Sequence, residues 1–492
     1  VSALAGGARP FDAPAPAELV VEIHPDVRVR DRGRTVVGGF PFRVLRLTEA
    51  GARAMDDWAV QAPVGETMAR RALARRLLDC GMLSPCPTPS SSTTGVTFVV
   101  PVHDRPVELT RCLDSIVSAC PGAPIVVVDD DSNDPTAVEA ICNARGATVV
   151  RHRAQRGPAA ARNSGLVACT TPYVAFVDSD VVVPAGSLER LLAHFVDPCV
   201  GAVAPRVQGL RTGRGLVEGY ERRHSALDMG ASGGLVAPGH PTSYVPSTVL
   251  LVRRSAAGSG FDESLHVGED VDLVWRLTAA GWRVHYEPRA QVWHDHRDRW
   301  HAFASRRWSY AQSVGALARR HPGALPAAWL SPWMVMPLAL AVAGRPRLAV
   351  GGTAIQTLLL GRRLRGLTGR PYRLAGELVT RGQLTTALGL AHAVRRAWSP
   401  LLLIFAIRRR GARRLVLAAF ATPLVQDALA TREPRAAFAD VPIRLLDEAI
   451  AVAGLWKGCV RHRTAEPLLA SWSRARRGQS RSAAPAERRA ER

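Results

Sequence analysis

The chain is 492 residues long, with 47% apolar residues, 22% charged residues and a formal net charge of +22. That length exceeds a single core and predicts two to four structural units, and the composition excludes a disordered or collagen-like chain. Eight cysteines without regular clusters exclude a disulfide-stapled scaffold and a zinc finger. They read as reduced thiols of a cytosol-facing protein. The charge is unevenly spread. Residues 301–492 hold 32 Lys+Arg against 9 Asp+Glu, whereas residues 1–300 are close to neutral. The basic part is also the most apolar part, which predicts helices flanked by arginine next to anionic lipid. No basic strand interleaved with aromatics and no helix-turn-helix pattern stands there, so no nucleic acid is expected as a partner. Residues 1–20 lack a basic start and an apolar run, so no signal peptide is read in them.

In chain order, residues 1–17 are rich in Ala, Gly and Pro and are expected to be disordered. Residues 18–86 read as a small α+β, winged-helix-like module. It has strands at Leu19–Ile23 and Arg34–Gly39, a helix capped by Thr48, and a second helix ending at Gly81. Residues 87–95 are a Pro/Ser/Thr linker. From residue 96, apolar runs at 96–100, 124–128, 147–150 and 173–177 alternate with helical stretches at 106–119, 134–145 and 157–168. Near-continuous apolar strands alternating with helices predict an α/β domain, 96–320, with a parallel sheet covered on both faces. Residues 321–472 read as a helical, membrane-associated region. In it, 324–343 form an uncharged run of spanning length, and shorter runs lie at 348–361, 397–407 and 415–425. Residues 473–492 read as a disordered basic tail.

Ligands of such sheets bind beyond the carboxyl ends of the strands. Asp129, Asp130 and Asp131 follow the second run, and Asp178-Ser179-Asp180 follows the fourth. Each cluster alone would be explained by helix capping. Two clusters at one sheet edge repel unless a cation sits among them, which points to Mg²⁺ or Mn²⁺ with a nucleotide diphosphate. Gly268-Glu269-Asp270 opens an amphipathic helix, whose dipole is expected to keep Asp270 ionised as a general base. His294 and His296 alternate along a strand, so one of them faces a given side as a possible metal ligand.

Taken in order, VTFVVPVHDR, PIVVVDDDSND, GPAAARNSGL, YVAFVDSDVVVP and GEDVDLVWRL resemble a family-two glycosyltransferase of the GT-A fold. The resemblance implies a Rossmann-like nucleotide-diphospho-sugar transferase domain. It implies metal-dependent, inverting transfer of a hexose from a UDP-sugar. By matching position, Pro101 and Asp104 line the base pocket, and Asp129 and Asp130 lie near the base or ribose. Arg162 and Asn163 stand beside the nucleotide, with Asp178 and Glu269. Asp180 and His294 hold the metal, and Asp270 is the catalytic base. Asp131 departs from the family, which commonly has Gly there. No QxxRW stands at 293–310, only RRWSY, which argues against a processive synthase. Through PFRVLRLTEAGARAMDDW, RRLLDCGMLSP and VPSTVLLVRR, the whole chain is similar to the glycosyltransferases of mycofactocin systems. That likeness implies glucose as the sugar, a small or peptide-derived redox-cofactor precursor as the acceptor, and a place on the cytoplasmic side of the cell membrane, peripheral or with one to a few spanning helices. The 18–86 module is similar to PqqD-like peptide-recognition domains, or is a docking module for a peptide or protein partner. The competing readings are a membrane enzyme acting on a lipid or cell-wall glycan, and a non-catalytic nucleotide-sugar-binding or nucleic-acid-binding protein. Tyr244–Thr248 and an aromatic wall from Trp293 to Trp308 are expected on the acceptor side.

Overall fold

The computed structural model describes residues 13–89, 93–210, 215–295, 299–430 and 439–472. The expected disordered segments 1–12 and 473–492, and His296, lie outside the described residues. The chain forms two compact units. One comprises residues up to 325 together with 367–369 and 435–464, and the other 326–366, 370–434 and 465 onward.

The first unit opens with β1 (Val21–Ile23), β2 (Arg28–Arg30), β3 (Thr35–Gly38), β4 (Arg43–Arg46), α1 (Glu49–Ala59), α2 (Met68–Asp79) and β5 (Leu83–Pro85). Thr48 caps α1 by accepting from the Gly51 N–H at 3.2 Å, satisfying one of the orphan donors at the helix start. Trp58, Met55, Leu77 and Met82 close the core of this module. Its sheet β2–β3–β4 and the pair β1–β5 include three short strands that the sequence pattern did not reveal. The expectation of disorder through residue 17 is corrected for 13–17. Ala15 is fully buried, and both its N–H and C=O bond to Arg71.

The catalytic-type sheet follows as β6 (Val96–Val102), α3 (Pro106–Ala119), β7 (Ile125–Asp129), α4 (Pro135–Asn143), β8 (Thr148–Arg151), α5 (Pro158–Ala168), β9 (Tyr173–Val177), β10 (Val181–Val182), α6 (Ser187–Ala193), β11 (Val200–Gly209), α7 (Leu216–His224), β12 (Gly234–Leu235), β13 (Val249–Arg253), α8 (Glu269–Ala279), β14 (Arg283–His294) and α9 (Trp300–Arg320). The strand order is β10-β14-β11-β13-β9-β6-β7-β8, with β12 also on β14. The apolar strands are buried on both faces, one face against α3 and α4 and the other against α5 and α8. The sheet is mixed, not parallel throughout. β6, β7, β8 and β9 run parallel, whereas β13 is antiparallel to β9 and β11, and β10 is antiparallel to β14. The parallel part still carries the ends of β6, β7 and β9 to one edge.

The second unit holds β15 (Ala328–Leu330), α10 (Pro332–Val342), α11 (Pro346–Leu364), α12 (Pro371–Ala393), α13 (Ser399–Arg408) and α14 (Arg410–Ala430). The expected spanning run 324–343 is instead a turn, a short strand and an 11-residue helix containing Pro337. That helix rises ~17 Å, too short for hydrocarbon of ~30 Å. Pro371–Arg408 is the one helical stretch among the described residues that is long and apolar enough to cross a membrane, by length and composition.

After this unit the chain returns to the first as α15 (Val441–Arg461), and β16 (Ala470–Trp472) pairs with β15 in the second. The whole of 321–472 was expected to be a helical tail, yet α15 packs along α9. Gly454 and Gly458 make that approach possible: a Cβ on either would lie 2.7 Å from Ala311 and 2.4 Å from the Gln312 carbonyl, respectively. Tyr220 donates to Asp447 of α15 at 3.0 Å, adding α7 to the same cluster.

Arg75 of the small module donates both terminal nitrogens to Asp197 at 2.8 Å, with both residues buried. Arg75→Met strands the Asp197 carboxylate and is expected to cost about 3–5 kcal/mol. A thermal melt should show Arg75→Met/Asp197→Asn recovering at least half of the lost melting temperature.

Candidate active site

β6 and β7 are in register with Val102 opposite Asp129, so both strand ends open on the same space. Asp129 is held by the Ser132 N–H at 2.9 Å and by Arg151. Asp130 accepts from the N–H groups of Arg156 at 2.9 Å and Gly157 at 2.7 Å, and it pairs with His152 at 2.6 Å. These bonds tie the end of β7 to the start of α5. Asp131 stands at φ +65°, the left-handed region. Asp tolerates that region through its short polar side chain, so the loop keeps a conformation glycine would adopt freely. Asp104, also left-handed at φ +54°, accepts from the backbone and side chain of Asn133, each at 2.7 Å.

On the other side, Val181 of β10 stands opposite His294 of β14. The pairing sets the His294 Nε2 3.3 Å from Asp180 Oδ1, while Arg105 binds Asp180 Oδ2. Burial works against ionisation of Asp180, but the hydrogen bond and charge of His294, with Arg105, outweigh it and hold this carboxyl well below the usual range. Asp178 moves the other way: burial pushes it up against the pull of Arg162.

Arg162 of α5 is buried and donates to Asp178 at 2.7 Å and to Glu269 at 2.9 Å. It thereby joins the Asp178–Asp180 loop to the start of α8. Gly268, at φ +89°, turns the chain into that helix. Asp270 accepts from the Val271 N–H at 2.8 Å and the Ser247 N–H at 3.2 Å. The expectation that the helix dipole keeps Asp270 readily ionised is corrected: burial outweighs these donors and Arg162, and raises its carboxyl above the ordinary value. Burial, then the Asp270 charge, raise Glu269 to about 7. Asn163 faces away from this cluster and locks the 261–263 loop through Phe261 and Glu263.

A cavity of about 690 Å³ opens here. Of the residues singled out from sequence, Pro101, Asp130, Arg162, Asp178, Asp180 and His294 line it. Asp104, Asp129, Asn163, Glu269 and Asp270 are not part of that lining; Asp270 is bonded to Ser247, the neighbour of Thr248, which does line it. The opposite wall is α9. It presents His301, Ser305, Arg306, Ser309 and Tyr310 rather than the expected aromatic wall; Trp300 is half exposed, and Trp308 lies under Lys457. Burial, together with Asp270 and Asp178 among its neighbours, raises Tyr310 to about 12. Arg105 and this α9 face were missed from sequence. The polar i, i+4 repeat His301–Ser305–Ser309 was the signal available.

Among the described residues, no group of three or more His, Cys, Asp or Glu is placed to hold a metal by itself. Asp180 and His294 offer an oxygen and a nitrogen donor side by side on the cavity wall. Two protein ligands fit a divalent ion that takes its remaining ligands from substrate phosphates and water.

The family model described as Glycosyl transferase family 2 matches residues 97–259. The chain belongs to the family-two glycosyltransferases, enzymes of the GT-A fold. Along most of its length it is similar to the pre-mycofactocin glycosyltransferase of Mycobacterium tuberculosis, 38% identical over 470 residues, covering 91% of this chain and 96% of that protein. The poly-beta-1,6-N-acetyl-D-glucosamine synthase of Staphylococcus aureus is 24% identical over 205 residues, 40% of this chain and 49% of that protein. Among solved structures, the mannosyltransferase PcManGT from Pyrobaculum calidifontis, in complex with GDP-Man and Mn²⁺, covers 76% of this chain and 89% of its own, with 19% identity and a TM-score of 0.44.

Between the ordinary glutamate value of ~4.3 and about 7, folded Glu269 retains a proton that the unfolded chain has released. Stability therefore falls as pH rises through that window. Glu269→Gln, which cannot titrate, is expected to lose less melting temperature between pH 5 and pH 8 than the wild type.

Proposed function

We propose that this chain is an inverting hexosyltransferase. Its donor is a UDP-sugar, with glucose as the sugar, and its acceptor is a small, peptide-derived precursor of the redox cofactor of the mycofactocin pathway. The observation that carries this reading is Arg162, which lines the cavity with Asp178 and Asp180 and ties their loop to Glu269, the residue before Asp270. The likeness over nearly the whole chain to a pre-mycofactocin glycosyltransferase supports the acceptor.

In this reading Pro101, Asp104, Asp129 and Asp130 shape the nucleotide pocket at the ends of β6 and β7. Asn163 supports that pocket by holding the 261–263 loop. Asp178, Arg162 and Glu269 form the charged floor under the diphosphate, and Asp180 and His294 would hold Mg²⁺ or Mn²⁺. A bound ion would supply charge neutralisation to the departing diphosphate. Asp270 accepts the proton of the acceptor hydroxyl. The acceptor oxygen bonds to the anomeric carbon on the face opposite the nucleotide, and the bond from that carbon to the phosphate oxygen breaks with its electron pair leaving on UDP. The burial that raises Asp270 brings its basicity nearer to working pH, where a general base is most effective. The small N-terminal module is the proposed docking site for a peptide or protein partner, and the protein is placed on the cytoplasmic side of the cell membrane.

A second reading, a membrane enzyme glycosylating a lipid or cell-wall glycan, draws on the long apolar stretch Pro371–Arg408. Incubation with UDP-glucose, Mn²⁺ and a small-molecule extract, followed by mass spectrometry, separates the two. A hexose increment on a small soluble molecule supports the first reading, and an increment confined to the lipid fraction supports the second.

Asp270→Asn is expected to lower kcat by about 10²–10⁴-fold while UDP binding, read by calorimetry, stays within a factor of a few. His294→Ala is expected to raise the Mn²⁺ concentration needed for half-maximal turnover at least tenfold, with UDP-sugar affinity at saturating metal little changed.

A further inference from the structure

The second unit buries an amide cluster among its helices and exposes a row of large apolar side chains. On α11, Gln356 is 0% exposed and donates to the Trp333 carbonyl. Gln383 of α12 donates to Thr353 Oγ1 and to Gln356 Oε1, each at 3.0 Å. Between the two helices lies an amide–hydroxyl cluster whose members satisfy one another, flanked by buried Ala349, Leu374, Ala375 and Val379. The outward face is apolar: Leu348, Ile355 and Leu358 are 54–56% exposed, and on α13 Leu403, Ile404 and Phe405 are 52–62% exposed. In water such a surface forfeits the stabilisation that burying it would give. In hydrocarbon it forfeits nothing, whereas polar side chains must find partners inside the protein, as Gln356, Gln383 and Thr353 do.

The arginines say how this unit sits in lipid. The apolar run of α11 is bounded by Arg345 and Arg347 at one end and by Arg362 and Arg363 at the other. The long helical stretch Pro371–Arg408 has Arg370 and Arg373 at its start and Arg408, Arg409 and Arg410 at its end, with Arg381, Arg395 and Arg396 between them. A spanning helix keeps its excess of arginine on the cytoplasmic side. Helices with arginine at both ends instead place both ends at one headgroup layer, where long stems reach the phosphates while the apolar faces enter the acyl chains.

We propose that residues 326–366 and 370–434 form an interfacial unit sunk into one leaflet of an anionic bilayer, entering and leaving from the same side without crossing. This rests on the membrane placement stated above and goes further by naming the mode of insertion and the lipid charge. It does not depend on the transferase chemistry.

The test uses the full chain in vesicles. Wild-type protein is expected to float with phosphatidylcholine–phosphatidylglycerol vesicles, to bind pure phosphatidylcholine at least fivefold less, and to stay bound through washes of high salt and alkaline carbonate. Ile355→Asp/Leu358→Asp is expected to cut the vesicle-bound fraction at least tenfold while UDP binding in detergent is retained, which shows that the variant has folded. Arg347→Cys and Arg362→Cys, each in a Cys86→Ser background, are expected to react with a membrane-impermeant maleimide from the same face of inside-out membrane vesicles. Reaction of the two from opposite faces, release by salt alone, or a detergent-free dimer that does not float would each overturn the proposal. Loss of UDP binding by the wild type would overturn the transferase reading and leave the flotation result standing.

Discussion

The guanidinium of Arg162 is the group on which the candidate site depends. It lies buried, with its charge shared between Asp178 and Glu269 and its face 5.3 Å from the Phe261 ring. Three carboxylates at 178, 269 and 270 would repel one another in this desolvated space, and burial already raises all three. One cation of fixed shape, with a planar fork that can serve two carboxylates at once, holds them within reach of the same cavity. α5 places that cation, and its first turn is fixed in turn by Asp130, which accepts from Gly157. Asp130 on one side of the site and Asp178 and Glu269 on the other are thus positioned by one short helix.

Much of this was legible in the sequence because strands buried on both faces cannot hide. Val96–Val102, Ile125–Asp129 and Tyr173–Val177 read as near-continuous apolar runs, and the carboxylates fall where the runs stop. What was illegible has physical reasons. β10 is two residues long and has no periodicity to read, yet it is the strand that brings Asp180 to His294. β13 is as apolar as its parallel neighbours, since burial decides composition and strand direction leaves no mark on it. Asp270 sits where a helix dipole favours the anion, but a dipole effect of ~0.3–1 kcal/mol is outweighed by removing a carboxylate from water. The uncharged run 324–343 satisfied a rule about hydropathy and length, while Ser331-Pro332 starts a new helix inside it and only 11 residues are helical.

The polarity of the second unit was harder still to see. Gln356 and Gln383 look in the sequence like interruptions of apolar helices. In the fold Gln356 is fully buried and bonded to a half-buried Gln383, while Leu358 and Leu384 near them are exposed. Much of the arginine of this unit stands around its helix ends, at 345, 347, 362, 363, 370, 408, 409 and 410.

The contact of α15 with α9 gives the far end of the chain a meaning that its position does not advertise. Gly454 and Gly458 let one backbone lie against the other, and Asp447 pins α7 beside them. The helix that supplies Arg306 and Tyr310 to the cavity is thus backed by residues more than a hundred positions downstream, beyond the whole apolar unit. A chain cut short after that unit would keep every carboxylate of the cleft and lose the buttress behind its far wall, so the cavity is whole only once Val441–Arg461 has been made.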